Sequence, residues 1–124
     1  QRLRVFGLIK DMYTCSGAAD LIITRAGANT LAEFGVQGRA CIVIPSPFLT
    51  GGHQLKNAQY LDDSKAALVI QEDNLDKIYD SIISLMNDKS LRSSYADKLH
   101  SITITDATQR LANILIGVAL KKDV

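Results

Sequence analysis

Several things are scarce in this sequence, and each scarcity removes a class of protein. Cysteine occurs twice, at Cys15 and Cys41, in no spacing that makes a metal site or a redox pair. Cys41 sits inside the apolar run "ACIVIP" and reads as a core residue, so reduced thiols in a cytoplasmic setting are expected rather than a disulfide. Charge of either sign is nowhere in excess: 14 Lys and Arg against 13 Asp and Glu leave +1, which gives no electrostatic footprint for nucleic acid. No apolar stretch approaches the ~18 residues of a membrane span, and no basic amphipathic helix marks a membrane-surface patch. No G-x-G-x-x-G follows a strand-like run, which argues against a dinucleotide-dependent oxidoreductase. Repeats and low-complexity tracts are missing as well.

What is present is ordinary globular material, 124 residues with 47% apolar and 22% charged side chains, enough for one domain with a modest core. Short runs rich in Val, Ile and Leu at residues 4–9, 20–24, 40–44 and 67–70 are continuous rather than alternating, as strands buried on both faces of a parallel sheet are. Helical spacing fills the gaps at 11–19, 28–37 and 53–63. Three more helices are expected after the last strand, at 75–87 behind an Asp73-Asn74 start, at 90–100, and a final one capped by Thr105 or Asp106 with Leu111, Leu115 and Val118 on one stripe. The class is α/β, a Rossmann-like doubly wound parallel sheet. The opening "QRLRVFGLI" has no initiator Met and no signal-peptide core. Being strand-like from its first residues, it leads us to expect a piece of something longer.

In such sheets ligands sit beyond the carboxyl ends of the strands, which marks the loops after Ile9, after Thr24 and across residues 45–52. The second opens "ITRAGANTLAEFGVQG". Small residues at Ala26, Gly27 and Ala28 would let backbone approach a ligand, and the free N–H groups of a helix start suit a phosphate. Glu33 has two readings here. Thr30 and Glu33 fit a capping box. Alternatively, Leu31, Phe34 and Gly35 form the core stripe and Glu33 lies on the opposite face with Thr30, where a carboxylate could accept hydrogen bonds from a ribose diol. The third loop, "PSPFLTGGHQLKNAQYL", is stiffened by Pro45 and Pro47 and loosened by Gly51-Gly52. His53 and Gln54 project from the helix that follows, either to sugar hydroxyls or to solvent; Leu55, Ala58 and Leu61 read as core. In the first loop, "LIKDMYTC", the backbone of Ile9 could pair with a base edge or make an ordinary turn.

The stretches "DMYTCSGAADLIITRAGANTLAEFGVQGRACIVIPSP", "GGHQLKNAQYL" and "ITDATQRLANIL" together resemble the C-terminal, donor-binding domain of glycosyltransferase family 28. The R-A-G-x-x-T-x-x-E run joined to I-P-x-P and H-Q-x-x-N-A carries the likeness, which covers nearly the whole chain. It implies the partial C-terminal domain of a two-domain (GT-B type) enzyme, and inverting transfer of N-acetylglucosamine from UDP-N-acetylglucosamine to lipid-linked muramyl-pentapeptide in peptidoglycan synthesis. The resemblance would bring the uracil to the Ile9 backbone with Met12 nearby. The diphosphate would meet Ala28, Asn29 and Thr30, the ribose Glu33, and the N-acetylglucosamine His53 and Gln54, with Gly27 and Asn57 also among the donor-binding residues. No cofactor and no metal are implied, because helix dipole and N–H groups can stabilise the departing UDP.

Two departures stand out: Ala40 where the family usually has proline, and Gly52 where an acidic residue is frequent. No residue is a convincing general base. His53 is the only candidate and is assigned to binding because it should face the donor sugar, so the base is expected in an N-terminal acceptor domain absent from these 124 residues. Earlier strands of the donor domain are also missing, and a preceding domain or a second chain is expected to complete the sheet. His100, in a polar helix, is expected at the surface. The implied location is cytoplasmic, peripheral at the inner face of the bacterial membrane. The alternatives are the catalytic subunit of a dolichol-linked N-acetylglucosaminyltransferase, against which "IPSP" and "HQLKNA" weigh, and a non-catalytic nucleotide-sugar-binding module. A nucleotide-sugar epimerase would need acid–base residues not found here.

Overall fold

A computed structural model describes residues 3–48 and 50–120. Three short strands, β1 (Ile22–Thr24), β2 (Cys41–Val43) and β3 (Leu68–Val69), pair in parallel in that order. Ile23 lies opposite Ile42 and Val43 opposite Val69. Six helices accompany them among the described residues: α1 (Met12–Gly17), α2 (Ala28–Val36), α3 (His53–Asp63), α4 (Ile78–Asn87), α5 (Lys89–Ile102) and α6 (Ala107–Leu120).

The central strand explains the layering. Side chains alternate along a strand, so Cys41 and Val43 point into one core with Leu31 and Phe34 of α2, Ala58 and Leu61 of α3 and Leu99 of α5. Ile42 points into the other, with Ile70 and Leu85 of α4. Both faces of β2 are covered, hence the unbroken apolar run in its sequence. Burial pushes the Cys41 thiol up to about 12, whereas Cys15 is exposed. A thiol reagent at pH 8 should therefore titrate one fast equivalent, Cys15. Cys41, with only about one part in ten thousand as thiolate, should react on unfolding. Two fast equivalents in the native protein would show that the core is open.

Four expectations are corrected. Residues 4–9 form no strand; Leu3, Val5, Phe6 and Leu8 are exposed. A strand is defined by a neighbour's hydrogen bonds, and this run has no pairing neighbour among the described residues, so apolar content alone leaves it irregular. The remaining strands are one to two residues shorter at their ends than their apolar runs. The helix expected at 75–87 begins with a 3-10 turn, Glu72–Lys77, kinked at Asn74, before α4 starts. Leu55, expected in the core, is exposed, while Ala58 and Leu61 are buried.

The last helix forms as expected, but Leu111, Leu115 and Val118 are exposed. The large apolar side chains of α6 are 56–67% exposed. Among the described residues no helix is long and apolar enough to cross a membrane. His100 is at the surface as expected, yet it is not idle. Its Nδ1–H donates to the Gly35 carbonyl at 2.8 Å, tying α5 to α2.

Candidate functional site

Parallel pairing brings the carboxyl ends of all three strands, and the loops after them, to one edge of the sheet. Two helices begin there. The first, α2, has Gly27 as its N-cap in extended conformation, and the first intrahelical bond runs from Leu31 N to the Gly27 carbonyl at 2.9 Å. The N–H groups of Ala28, Asn29 and Thr30 therefore have no acceptor within the helix and sit at its positive end. This start overturns the capping box. Thr30 is the third helical residue and Glu33 the sixth, so neither is placed to close the helix end. Glu33 is exposed, and no described residue hydrogen-bonds its carboxylate. It stands one turn above the free N–H groups, where the second reading put it.

The second helix start is built by glycine. Gly51 and Gly52 have φ of 81° and 62°, a region that costs other residues strain. A side chain on Gly51 would also meet the His53 ring, with Nε2 2.9 Å from its Cβ position. Glycine at 52 takes the left-handed cap of α3 without strain. His53 is exposed at the first helical position.

Gln54 is half-buried and partly committed: its Oε1 accepts from the Ser46 N–H at 2.9 Å. That bond holds the Pro45–Pro47 turn against α3 and leaves the amide Nε2 as the donor available to a ligand. Asn57 is committed in a different way. Its Nδ2 donates to the Ala26 carbonyl at 2.9 Å, so one turn into α3 a side chain grips the residue before the N-cap of α2. The two helix starts are thus fastened together by the Asn57 amide.

The remaining loop is held from below. Asp11 caps α1, accepting from the Thr14 N–H at 3.1 Å, and hydrogen bonding from Thr14 keeps its carboxyl below the usual value. Ser16 Oγ donates to Gln37 Oε1 at 2.8 Å and Gln37 Nε2 to the Tyr13 carbonyl at 2.9 Å, locking α1 to the end of α2. Met12 is then half exposed at the first position of α1, and Ile9, half-buried, has backbone groups bonded to no described residue. Ser16 and Gln37 had no visible role in the sequence. Their pairing spans 21 residues and leaves no local pattern.

The geometry offers anion-accepting N–H groups, a free carboxylate one turn away, and an imidazole and an amide on an adjoining helix start. A groove of about 340 Å³ lined by Ala28, Leu31, Asn57, Tyr60, Ile102 and Thr103 runs beside them. A larger cleft, about 870 Å³ and lined by Ser64, Lys65, Ser94 and Lys98, lies at the opposite end of α3, where a parallel sheet offers no convergent helix starts.

Comparison with known proteins identifies the family and the fold. Residues 1–111 match the family model described as the glycosyltransferase family 28 C-terminal domain. The chain is 38% identical over 122 residues to the UDP-N-acetylglucosamine–N-acetylmuramyl-(pentapeptide) pyrophosphoryl-undecaprenol N-acetylglucosamine transferase of Acetivibrio thermocellus, covering 97% of this chain and 33% of that protein. It is 39% identical over 120 residues to the transferase of the same name from Sorangium cellulosum, covering 95% and 30%. Among solved structures, the crystal structure of Acinetobacter baumannii MurG superimposes with a TM-score of 0.79 at 30% identity, covering 90% of this chain and 32% of that one. The chain spans about a third of the length of these relatives.

Proposed function

The chain belongs to the glycosyltransferase family 28 C-terminal domain family, and from that premise we propose that it is the donor-binding part of a UDP-N-acetylglucosamine-dependent transferase. The enzyme passes N-acetylglucosamine, with inversion, to a lipid-linked muramyl-pentapeptide in peptidoglycan synthesis. The observation that carries this reading is the pair of helix starts joined by Asn57 and Ala26, with an unpartnered acid one turn inside.

Each part has a task set by its chemistry. The N–H groups of Ala28, Asn29 and Thr30, approached closely because Gly27 has no side chain, take the diphosphate and stabilise its growing charge as UDP leaves. Glu33 accepts from the two ribose hydroxyls. His53 and the Gln54 Nε2 meet the sugar, and Asn57 sets their distance from the phosphates. The Ile9 backbone reads the uracil edge while Met12 packs against it. No metal and no cofactor take part. In this reading the base and the acceptor come from outside residues 1–124, which supply only part of the donor domain.

The bare edge of β1 and the exposed apolar face of α6 are surfaces that a further domain or a second chain would cover. The enzyme works at the cytoplasmic face of the bacterial inner membrane, held there peripherally. Isothermal titration of the intact protein with UDP, UDP-N-acetylglucosamine and ADP tests the reading. Saturable heat with both uridine ligands and little with ADP is expected. Indifference to both uridine ligands would end it.

A further inference from the structure

One charged contact spans the sheet edge beneath these loops. Arg25, the residue after β1, reaches past the end of β2 to the segment after β3. Its Nη2 donates to Glu72 Oε1 at 3.0 Å, and its Nη1 lies 3.5 Å from the carbonyl of Ile44, the residue after β2. One guanidinium therefore links the exits of all three strands. The arm and the anchor are distinguishable. The Arg25 side chain is 52% exposed and that of Glu72 31%, and Glu72 Oε2 is shut off from solvent with no hydrogen-bond partner among the described residues.

We propose that Arg25 and Glu72 form a clamp that positions the β1–α2 turn, and with it the free N–H groups of Ala28, Asn29 and Thr30, for the donor diphosphate. This deepens the donor-binding reading and rests on it. The turn is gripped on both sides: Asn57 holds the Ala26 carbonyl from α3, and Arg25, the next residue back, is drawn toward β3. Through Ile44 the same guanidinium borders the loop that carries Ser46 to Gln54, so phosphate and sugar contacts share one brace. An ion pair this exposed contributes little to overall stability. Its effect is on placement, which decides whether dipoles and donors act on a ligand.

A double-mutant cycle on the intact protein tests the clamp, using Arg25→Gln, Glu72→Gln and both together. UDP affinity is read by calorimetry and the first turn of α2 by amide exchange at Leu31, whose N–H bonds the Gly27 carbonyl. Glu72→Gln is expected to weaken UDP roughly three- to tenfold, to speed exchange at Leu31, and to leave the thermal midpoint within about 2 °C. The double variant should bind no worse than Arg25→Gln alone, since a clamp is lost only once. If Glu72→Gln binds UDP as well as the unaltered chain the clamp is refuted, and tighter binding would refute it and mark Arg25 as a direct phosphate ligand. Losses that multiply in the double variant refute it too. Should the unaltered chain ignore UDP, the donor reading fails, while Leu31 exchange still decides the clamp: unchanged exchange in Glu72→Gln overturns it.

Discussion

Glu33→Ala is expected to weaken UDP binding roughly ten- to hundredfold while moving the thermal midpoint by less than about 2 °C. The asymmetry follows from position. Glu33 is exposed at the sixth residue of α2, outside the capping turn and unbonded by any described residue, so the fold gains nothing from its carboxylate. Alanine is also at least as good a helix former, which removes the last structural reason for a loss. A ligand would gain two charge-assisted hydrogen bonds from its ribose. Calorimetry beside scanning calorimetry separates the effects, and 2′-deoxy-UDP sharpens the test. The unaltered chain should prefer UDP to its deoxy analogue, and Glu33→Ala should bind both about equally. A variant that melts earlier yet binds UDP normally would return Glu33 to a structural role.

How much of this was legible beforehand depended on how local the cause was. Helices α2 and α3 follow from apolar stripes in their own sequence, and Leu31, Phe34 and Leu61 are buried where that spacing puts them. Residues 4–9 carry the same kind of apolar signal and form no strand, because a strand exists only with a hydrogen-bonding neighbour. The face of α6 was legible as a stripe, but a stripe does not say what covers it. Thr30 and Glu33 match the capping-box spacing, yet that pattern occurs inside a helix as easily as at its start. The extended backbone of Gly27 set the start three residues earlier.

The site divides along the same line. Small residues before a helix and a Gly-Gly before His53 advertised two backbone-rich loops, and the structure puts both at one sheet edge. The fastenings did not announce themselves. Asn57 reaches Ala26 across 31 positions and Arg25 reaches Glu72 across 47. Neither separation has a period or a motif, since a side-chain hydrogen bond records only where the chain happens to return. Asn57 was named from the resemblance as a ligand contact. One Nδ2 hydrogen goes to Ala26, which leaves the second N–H and Oδ1 for a ligand. The same side chain can therefore brace the two helix starts and offer a contact.

Two glycines of the same stretch should part company when each is changed to alanine. Gly27 sits at φ −73°, ψ 129°, conformations any residue adopts, and the nearest atom a Cβ would meet is Thr30 Oγ1 at an ordinary 3.6 Å. Nothing in the fold asks for glycine there. Alanine caps a helix slightly less well but has less freedom to lose on folding, so stability should stay within about 1 kcal/mol. The added methyl would instead stand in front of the Ala28 to Thr30 N–H groups and hold a phosphate away, costing at least about tenfold in UDP affinity.

Gly35 presents the opposite case. A Cβ there would collide with Thr103 Oγ1 and fall 2.9 Å from the Thr103 Cβ, where α2 meets the end of α5 beside the bond between His100 and Gly35. Gly35→Ala must push the two helices apart, at about 1–3 kcal/mol, a fall of roughly 4–15 °C for a domain this small. Nucleotide affinity measured well below that midpoint should be nearly unchanged, because the pressure falls two turns from the helix start. Denaturation and calorimetry on the two variants therefore give crossed results if backbone approach at Gly27 serves a ligand. Normal UDP binding in Gly27→Ala would mean that the phosphate does not rest on this helix start.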